Sequence, residues 1–533
     1  MTRKILIADK ISPAGMAWLE DRAGIDAVFL PGQDEDQLVA SIAAYDAVIV
    51  RSATRITAPV LAAGARLKVI GRAGIGVDNI DVAGATERGV VVLNTPDANA
   101  TTTAELTIAH LLSLSRNLPH ADRSVRGGSW ERAAFMGTEI AGKTLGVVGY
   151  GTIGRLVAAR ALALKMTVLV HDPFVTDEVV RGEGCRPLGF EALLAAADYV
   201  TLHCPVTDRT RGLIGADQLA AMPAGSRLIN CARGALVDEA ALVAALVSGH
   251  LAGAALDVFA AEPPVASPLL GLDNVVLTPH LGASTREAQV AVGTQIAQQV
   301  VQFLETGEPV NAVNLPAVSA EQLARVRPWQ GLARALGRLV GALAAGPLER
   351  IEVTLNGCPD EVDTHLVAVD AVVGYLGNQF SGPVNQVNAP TLAQRQGIKL
   401  VEARSAQVSD YRTRLDVTGT GAWGAVGVSG TLFDERYPRL VRIGDFDIEA
   451  VLEGDLLITR HDDRPGVAAD FSRVIADAGV NITRLHLGPV REEGHAMAVV
   501  GLGRPLAAED LDRMRSLPAL EMVQQISCAD DPA

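Results

Sequence analysis

Apolar runs of four or five residues, each closed by glycine or polar residues, recur along roughly the first half of the chain. This pattern predicts buried strands at Lys4–Ala8, Ala47–Val50, Leu67–Gly71 and Val90–Asn94, with helices between them. A long helix follows over Asn99–Asn117, its core face expected on Leu106, Ala109, His110 and Leu114. His110 is expected to pack and hydrogen-bond there rather than react. The runs then resume at Leu145–Val148, Thr167–Val170, Tyr199–His203, Ser226–Asn230, Gly253–Asp257 and Val275–Thr278, with a helix at Glu191–Ala197. Strands alternating with helices predict α/β units built on parallel sheets. Val290, Ile296, Val300 and Phe303 mark a helix that leads back toward the first unit.

After about residue 315 the pattern changes. Ile351–Leu355 alternates, residues 378–385 read as loop, and polar strands are expected around Ala403–Arg414 and Ala425–Leu432. These describe an α+β module without a catalytic constellation. From Asp455 the order becomes strand, loop (His461–Gly466), helix, strand (Ile482–Leu487), strand (Ala496–Gly501), helix, strand (Glu521–Ile526). That βαββαβ order is ferredoxin-like. Its first helix should bury Val467, Phe471, Val474, Ile475 and Ala478.

One stretch carries nucleotide chemistry. The strand at Leu145–Val148 runs into Gly149-x-Gly151-x-x-Gly154, then a helix, then a strand ending at Asp172. Gly149 allows the tight turn, Gly151 lets backbone approach a pyrophosphate, and Gly154 lets helix pack on strand. The helix N-terminus offers unpaired N–H groups to the phosphates. Among 52 glycines a lone motif means little, but here strand, glycines, helix, strand and acid follow in the required order. Asp172 is placed to accept from both ribose hydroxyls. No Arg or Lys follows within five residues to neutralise a 2′-phosphate, so the expected cofactor is NAD.

Composition removes several alternatives. A net charge of −15 argues against nucleic-acid binding, and no apolar run reaches the ~18 residues of a membrane span. The N-terminal run is too short for a signal peptide. Cysteines 185, 204, 231, 358 and 528 form no C-x-x-C pair and no zinc spacing, so no metal is expected and a reducing cytoplasm is. With 49% apolar residues and 4% aromatics, the cores are aliphatic, and the length of 533 residues implies several domains.

Ligands in open α/β sheets bind at the carboxyl edge of the strands. Arg51, Ser52 and Arg72 follow strands in the first unit and are candidates to hold an anionic substrate. Trp130 and Arg132, in a polar loop before the nucleotide strand, read as a contact surface or as ordinary edge packing. Arg233, Glu262 and His280 follow successive strand ends after the nucleotide motif. Oxidation of a 2-hydroxy acid needs a base, a carboxylate to orient it and a cation for the substrate's carboxylate; these three side chains fit the parts.

Gly149–Gly154, Asn230–Gly234, Asp257-Val-Phe-x-x-Glu262-Pro263 and Thr278–Thr285 together resemble the D-isomer-specific 2-hydroxyacid dehydrogenases, over residues 1 to about 312. The resemblance implies Arg233, Glu262 and His280 as the catalytic set. It implies a Rossmann-type NAD domain (99–280) inserted in a flavodoxin-like substrate domain (1–98 and 281–312). It adds Ile75, Thr152, Ile153, Cys204, Cys231, Ala232, Arg233, Asp257, His280, Gly282 and Ala283 to the cofactor contacts, and Gly74 and Asn99 to the substrate contacts. Trp130 and Arg132 would reach a neighbouring subunit's cleft in a homodimer or homotetramer. The α+β segment 313–453 and the ferredoxin-like segment 454–533, together with Gly71–Asn79 and Asn94–Ala100, resemble the long, ACT-bearing members that oxidise 3-phosphoglycerate to 3-phosphohydroxypyruvate, the first step of phosphorylated serine biosynthesis. L-serine is the effector this implies, held by His461, Asp463 and Asn481. A glyoxylate or hydroxypyruvate reductase would normally end near the segment 281–312, and a non-catalytic NAD-sensing regulator would be expected to have lost part of the set Arg233, Glu262, His280.

Overall fold

The computed structural model describes residues 2–528 apart from 97, 317, 378, 381, 407–410 and 490–493. Its first sheet has five parallel strands in the order Ile25–Phe29, Arg3–Ile7, Ala47–Val50, Val69–Arg72, Val91–Leu93, which is flavodoxin-like. Ile25–Phe29 was not foreseen, although Ala27–Leu30 is an apolar run closed by Pro31 and Gly32; as an edge strand it has no fully buried residue.

The second sheet has seven parallel strands, ordered Val275–Leu277, Gly253–Leu256, Arg227–Asn230, Tyr199–Leu202, Thr144–Val148, Thr167–His171, Arg186–Pro187. Every residue of Tyr199–Leu202 and Gly253–Leu256 is buried, as helices on both faces require. The strand order reverses between Thr144–Val148 and Tyr199–Leu202, and a crevice opens there.

Two helices join the sheets. Ala100–Arg116 buries Thr103, Ala104, Thr107, His110, Leu111 and Leu114, leaving Ala109 exposed and Leu106 half-buried. The core face is therefore rotated from the predicted one. Thr103, Thr107 and Ser115 return their hydroxyls to the carbonyls four residues back, so polar residues occupy positions that hydropathy assigns to the surface. Arg286–Thr306 lies on the first sheet with Val292, Ile296 and Val300 packed on Ile5, Ile49 and Val69. A Cβ on Gly71 would sit 2.6 Å from Val300 Cγ2, so strand and helix approach this closely only over glycine. Val290, expected on the buried face, is exposed.

Beyond residue 319, helices Ala320–Leu343 and Thr364–Leu376 cover a six-stranded mixed sheet. Its last strands, Tyr437–Ile443 and Phe446–Val451, were not foreseen. The C-terminal unit has the predicted βαββαβ order, its four strands arranged Ile482–Pro489, His495–Leu502, Asp455–Asp462, Leu520–Ser527. Leu456, Ile458, Met497, Val499 and Ile526 from this sheet join the same buried cluster as Leu336, Val353 and Leu440. The last two units therefore share one core. No helix among the described residues is long and apolar enough to cross a membrane.

Candidate active site

A cleft of about 440 Å³ lies between the two parallel sheets, at the carboxyl ends of their strands. Its nucleotide side is built by the glycine turn. Gly149 has φ +93°, and a Cβ there would stand 2.6 Å from the carbonyl carbon of His203. A Cβ on Gly151 would meet no atom within 4 Å; this backbone borders open cleft, as close approach of a pyrophosphate requires. Gly154 packs against the backbone of Gly149, and Thr152 and Ile153 line the cleft at the start of helix Thr152–Ala163. These residues fit a dinucleotide.

Asp172, at the end of Thr167–His171, anchors the turn: its Oδ2 accepts from Tyr150 N at 2.7 Å and its Oδ1 from Phe174 N at 2.8 Å. The remaining lone pairs suit ribose hydroxyls. Asp172→Ala is expected to weaken NAD binding about tenfold, from the loss of charge-assisted hydrogen bonds, and to narrow the preference for NAD over NADP. Titration with both cofactors checks this, and a parent chain that prefers NADP would refute the assignment.

The chemical end of the cleft holds His280 and Arg233. His280 Nδ1 is 2.7 Å from Glu262 Oε2, and Glu262 Oε1 accepts from Phe259 N at 3.1 Å. With Nδ1 directed at the carboxylate, Nε2 remains for a reacting group. The hydrogen bond to Glu262 raises the His280 pKa above its ordinary value against the opposing effect of burial. For Glu262, burial pushes the carboxyl up, but the hydrogen bond and charge of His280, the amide of Phe259 and the charge of Arg233 outweigh it and leave it low. His280 has φ +54°, a left-handed conformation costing roughly 1–2 kcal/mol for a non-glycine residue. Its amide is held by the carbonyls of Asp257 at 2.9 Å and Thr278 at 3.0 Å.

Arg233 crosses between units. Its Nε donates to Asp78 Oδ2 at 2.8 Å and its Nη1 to the Ala232 carbonyl at 2.7 Å, while Nη2 lies over Gly76. Asp78 and Asn94, which also lines the cleft, were not singled out individually, although both sit in the strand-end stretches that carried the resemblance.

Arg72, Ile75, Asn99, Cys204, Cys231, Ala232, Asp257, Gly282 and Ala283 also line the cleft. Burial pushes the Cys204 thiol up to about 11 and the Cys231 thiol up to about 12, so both are neutral lining. Asp257 is wholly buried, and its oxygens already accept from Thr278, Leu281 and Gly282. Arg72 Nε and Asn99 Oδ1 are buried without a hydrogen-bond partner. Burial, with Arg233 nearby, pushes Arg72 down to about 10. Gly74, at φ +143°, leaves room for the Arg72 guanidinium, which a Cβ there would strike.

Other expected residues stand outside. Arg51 does not line the cleft: its amide is bound to Asp9 Oδ2 at 2.6 Å and its Nη1 to the Lys10 carbonyl at 3.1 Å. Ser52 and Arg132 are exposed away from it, and Trp130 is 77% exposed. In the C-terminal unit Asp463 and Asn481 are exposed, but His461 is buried, 3.3 Å from Thr459 Oγ1 and edge-on to the Phe471 ring. Asp462, His495 and Glu521 bring ligand atoms within 4.8 Å of one another, with Arg464 and Arg460 paired to the two carboxylates.

Comparison with known proteins gives a consistent set of likenesses. Residues 108–282 match the family described as "D-isomer specific 2-hydroxyacid dehydrogenase, NAD binding domain". Residues 325–444 match "D-3-phosphoglycerate dehydrogenase intervening domain", and residues 455–519 match "ACT domain". The D-3-phosphoglycerate dehydrogenase of Synechocystis sp. is 40% identical, covering 94% of this chain and 91% of that protein. The enzyme of the same name from Bacillus subtilis is 38% identical over 98% of this chain and 99% of its own length. Among solved structures, NAD+-bound 3-phosphoglycerate dehydrogenase of Entamoeba histolytica aligns with a TM-score of 0.51 and 28% identity, over 60% of this chain and 100% of that one. A glyoxylate reductase from Paecilomyes thermophila aligns with a TM-score of 0.55 and 31% identity, over 58% of this chain and 98% of that one.

Proposed function

Since the chain belongs to the D-3-phosphoglycerate dehydrogenases, NAD-dependent members of the D-isomer-specific 2-hydroxyacid dehydrogenase family, we propose that it oxidises D-3-phosphoglycerate to 3-phosphohydroxypyruvate as the first step of phosphorylated L-serine biosynthesis. Bound NAD supplies the hydride acceptor. The glycine turn and Asp172 hold that cofactor. Arg233 Nη2 grips the substrate carboxylate and polarises the oxygen that becomes the carbonyl. His280 takes the hydroxyl proton at Nε2, and Glu262, accepting at Nδ1, stabilises the imidazolium that forms.

Arg72 carries the choice of a phosphorylated substrate. A guanidinium lining the cleft with a buried, unpartnered Nε calls for a second anion beyond the carboxylate on Arg233. With purified chain and NAD, Arg72→Ala should raise KM for 3-phosphoglycerate about tenfold more than KM for an unphosphorylated D-2-hydroxy acid. An equal rise for both substrates would overturn the phosphate assignment. No turnover of 3-phosphoglycerate by the parent chain would overturn the substrate itself.

Two further parts belong to this proposal. The chain acts as a homodimer or homotetramer, with exposed Trp130 and Arg132 against a neighbouring subunit. L-serine regulates it through the ACT unit, gripped by exposed Asp463 and Asn481; buried His461 shapes the loop beside them.

A further inference from the structure

His110 reaches from helix Ala100–Arg116 to the loop that carries His280. Its Nε2 is 2.9 Å from Thr278 Oγ1, and Thr278 Oγ1 donates to Asp257 Oδ1 at 2.5 Å. A hydroxyl has one proton. With that proton committed to Asp257, His110 must be the donor in the first bond, so its Nε2 carries a hydrogen. Asp257 spends its other acceptor sites on backbone: Oδ1 takes Leu281 N at 2.7 Å and Oδ2 takes Gly282 N at 2.8 Å. The chain of bonds therefore grips the loop two residues before His280 and again one and two residues after it. An aliphatic residue at position 110 would satisfy packing but could not supply the donor.

We propose that His110, Thr278 and Asp257 form a hydrogen-bonded relay that sets the position of the His280 imidazole for proton transfer, with His110 and Thr278 as positioning residues. Neither of these two lines the cleft, so each acts through the loop and not on the substrate. The relay converts packing of the crossover helix into geometry at the base. Because proton transfer is steeply sensitive to misplacement of the reacting groups, a loosened turn should slow the chemical step more than it weakens binding.

The inference rests on the dehydrogenase reading, and turnover by the parent chain in the same assay separates failure of that reading from failure of this one. Thr278→Val in the full chain keeps the volume and removes the hydroxyl. It is expected to lower kcat about tenfold or more, with KM for NAD within about twofold and NADH affinity, read by fluorescence titration, unchanged. Thr278→Ser should restore kcat to within about threefold, since the hydroxyl returns. His110→Phe should lower kcat about threefold, and adding it to Thr278→Val should cost little more, because both break one network. Parental kcat in Thr278→Val, no rescue by serine, or losses that multiply in the double variant would each overturn the relay. Should Thr278→Val not fold, His110→Phe decides by the same kcat readout, parental turnover again overturning it.

Discussion

Substituting His280 by alanine should lower kcat by about 10²–10⁴ while leaving NADH affinity nearly unchanged. The imidazole lines the cleft in which the proposed oxidation would release the hydroxyl proton, whereas the proposed nucleotide contacts, the glycine turn and Asp172, lie on other strand ends. Single-turnover oxidation and NADH titration check the two halves separately, and near-parental turnover would remove His280 from the mechanism. The pH dependence follows from the same pair. Oxidation needs the unprotonated imidazole, so kcat/KM rises as pH climbs through the His280 pKa, which the Glu262 hydrogen bond holds above its ordinary value. Glu262→Gln removes the carboxylate charge and the stronger hydrogen bond. The rising limb should then move to lower pH, and an unmoved limb would dissolve the pairing.

L-serine should inhibit the full chain, and Asn481→Ala should abolish that inhibition. An effector shifts activity only by the difference in its affinity for two states, and couplings of about 1–3 kcal/mol correspond to roughly 5–150-fold. The point variant is the proper test because the ACT sheet is not a detachable appendage. Removing it would strip Leu456, Ile458, Met497, Val499 and Ile526 from a core shared with the preceding unit, so loss of inhibition in a truncation would be confounded by unfolding. Asn481 is exposed immediately before the edge strand Ile482–Pro489, and its alanine variant leaves that core intact. Undiminished inhibition in Asn481→Ala would place the effector elsewhere. His461 is a poor probe: it is buried against Phe471, and replacing it opens a cavity as well as removing a ring nitrogen.

The amino-acid sequence by itself determined the α/β order, the nucleotide turn, the ferredoxin-like module and the strand ends that bear Arg233, Glu262 and His280. These are local facts: a buried parallel strand is one short apolar run, a phosphate turn is three glycines at set spacing, and a strand end delivers the residues that follow it. Tertiary structure alone decided what those residues touch. Arg233 meets Asp78 across 155 positions, and His110 meets Thr278 across 168. Arg51 directly follows its strand and Arg72 ends the next one, yet only Arg72 lines the cleft, the Arg51 guanidinium donating to the Lys10 carbonyl. Ile25–Phe29 pairs on the edge that Arg3–Ile7 offers it and, with one face left open, has no fully buried residue. His461 is polar by composition and core by position. Periodicity reports how a segment faces its surroundings, whereas the identity of a partner depends on how separate segments pack, and nothing in either segment alone encodes that.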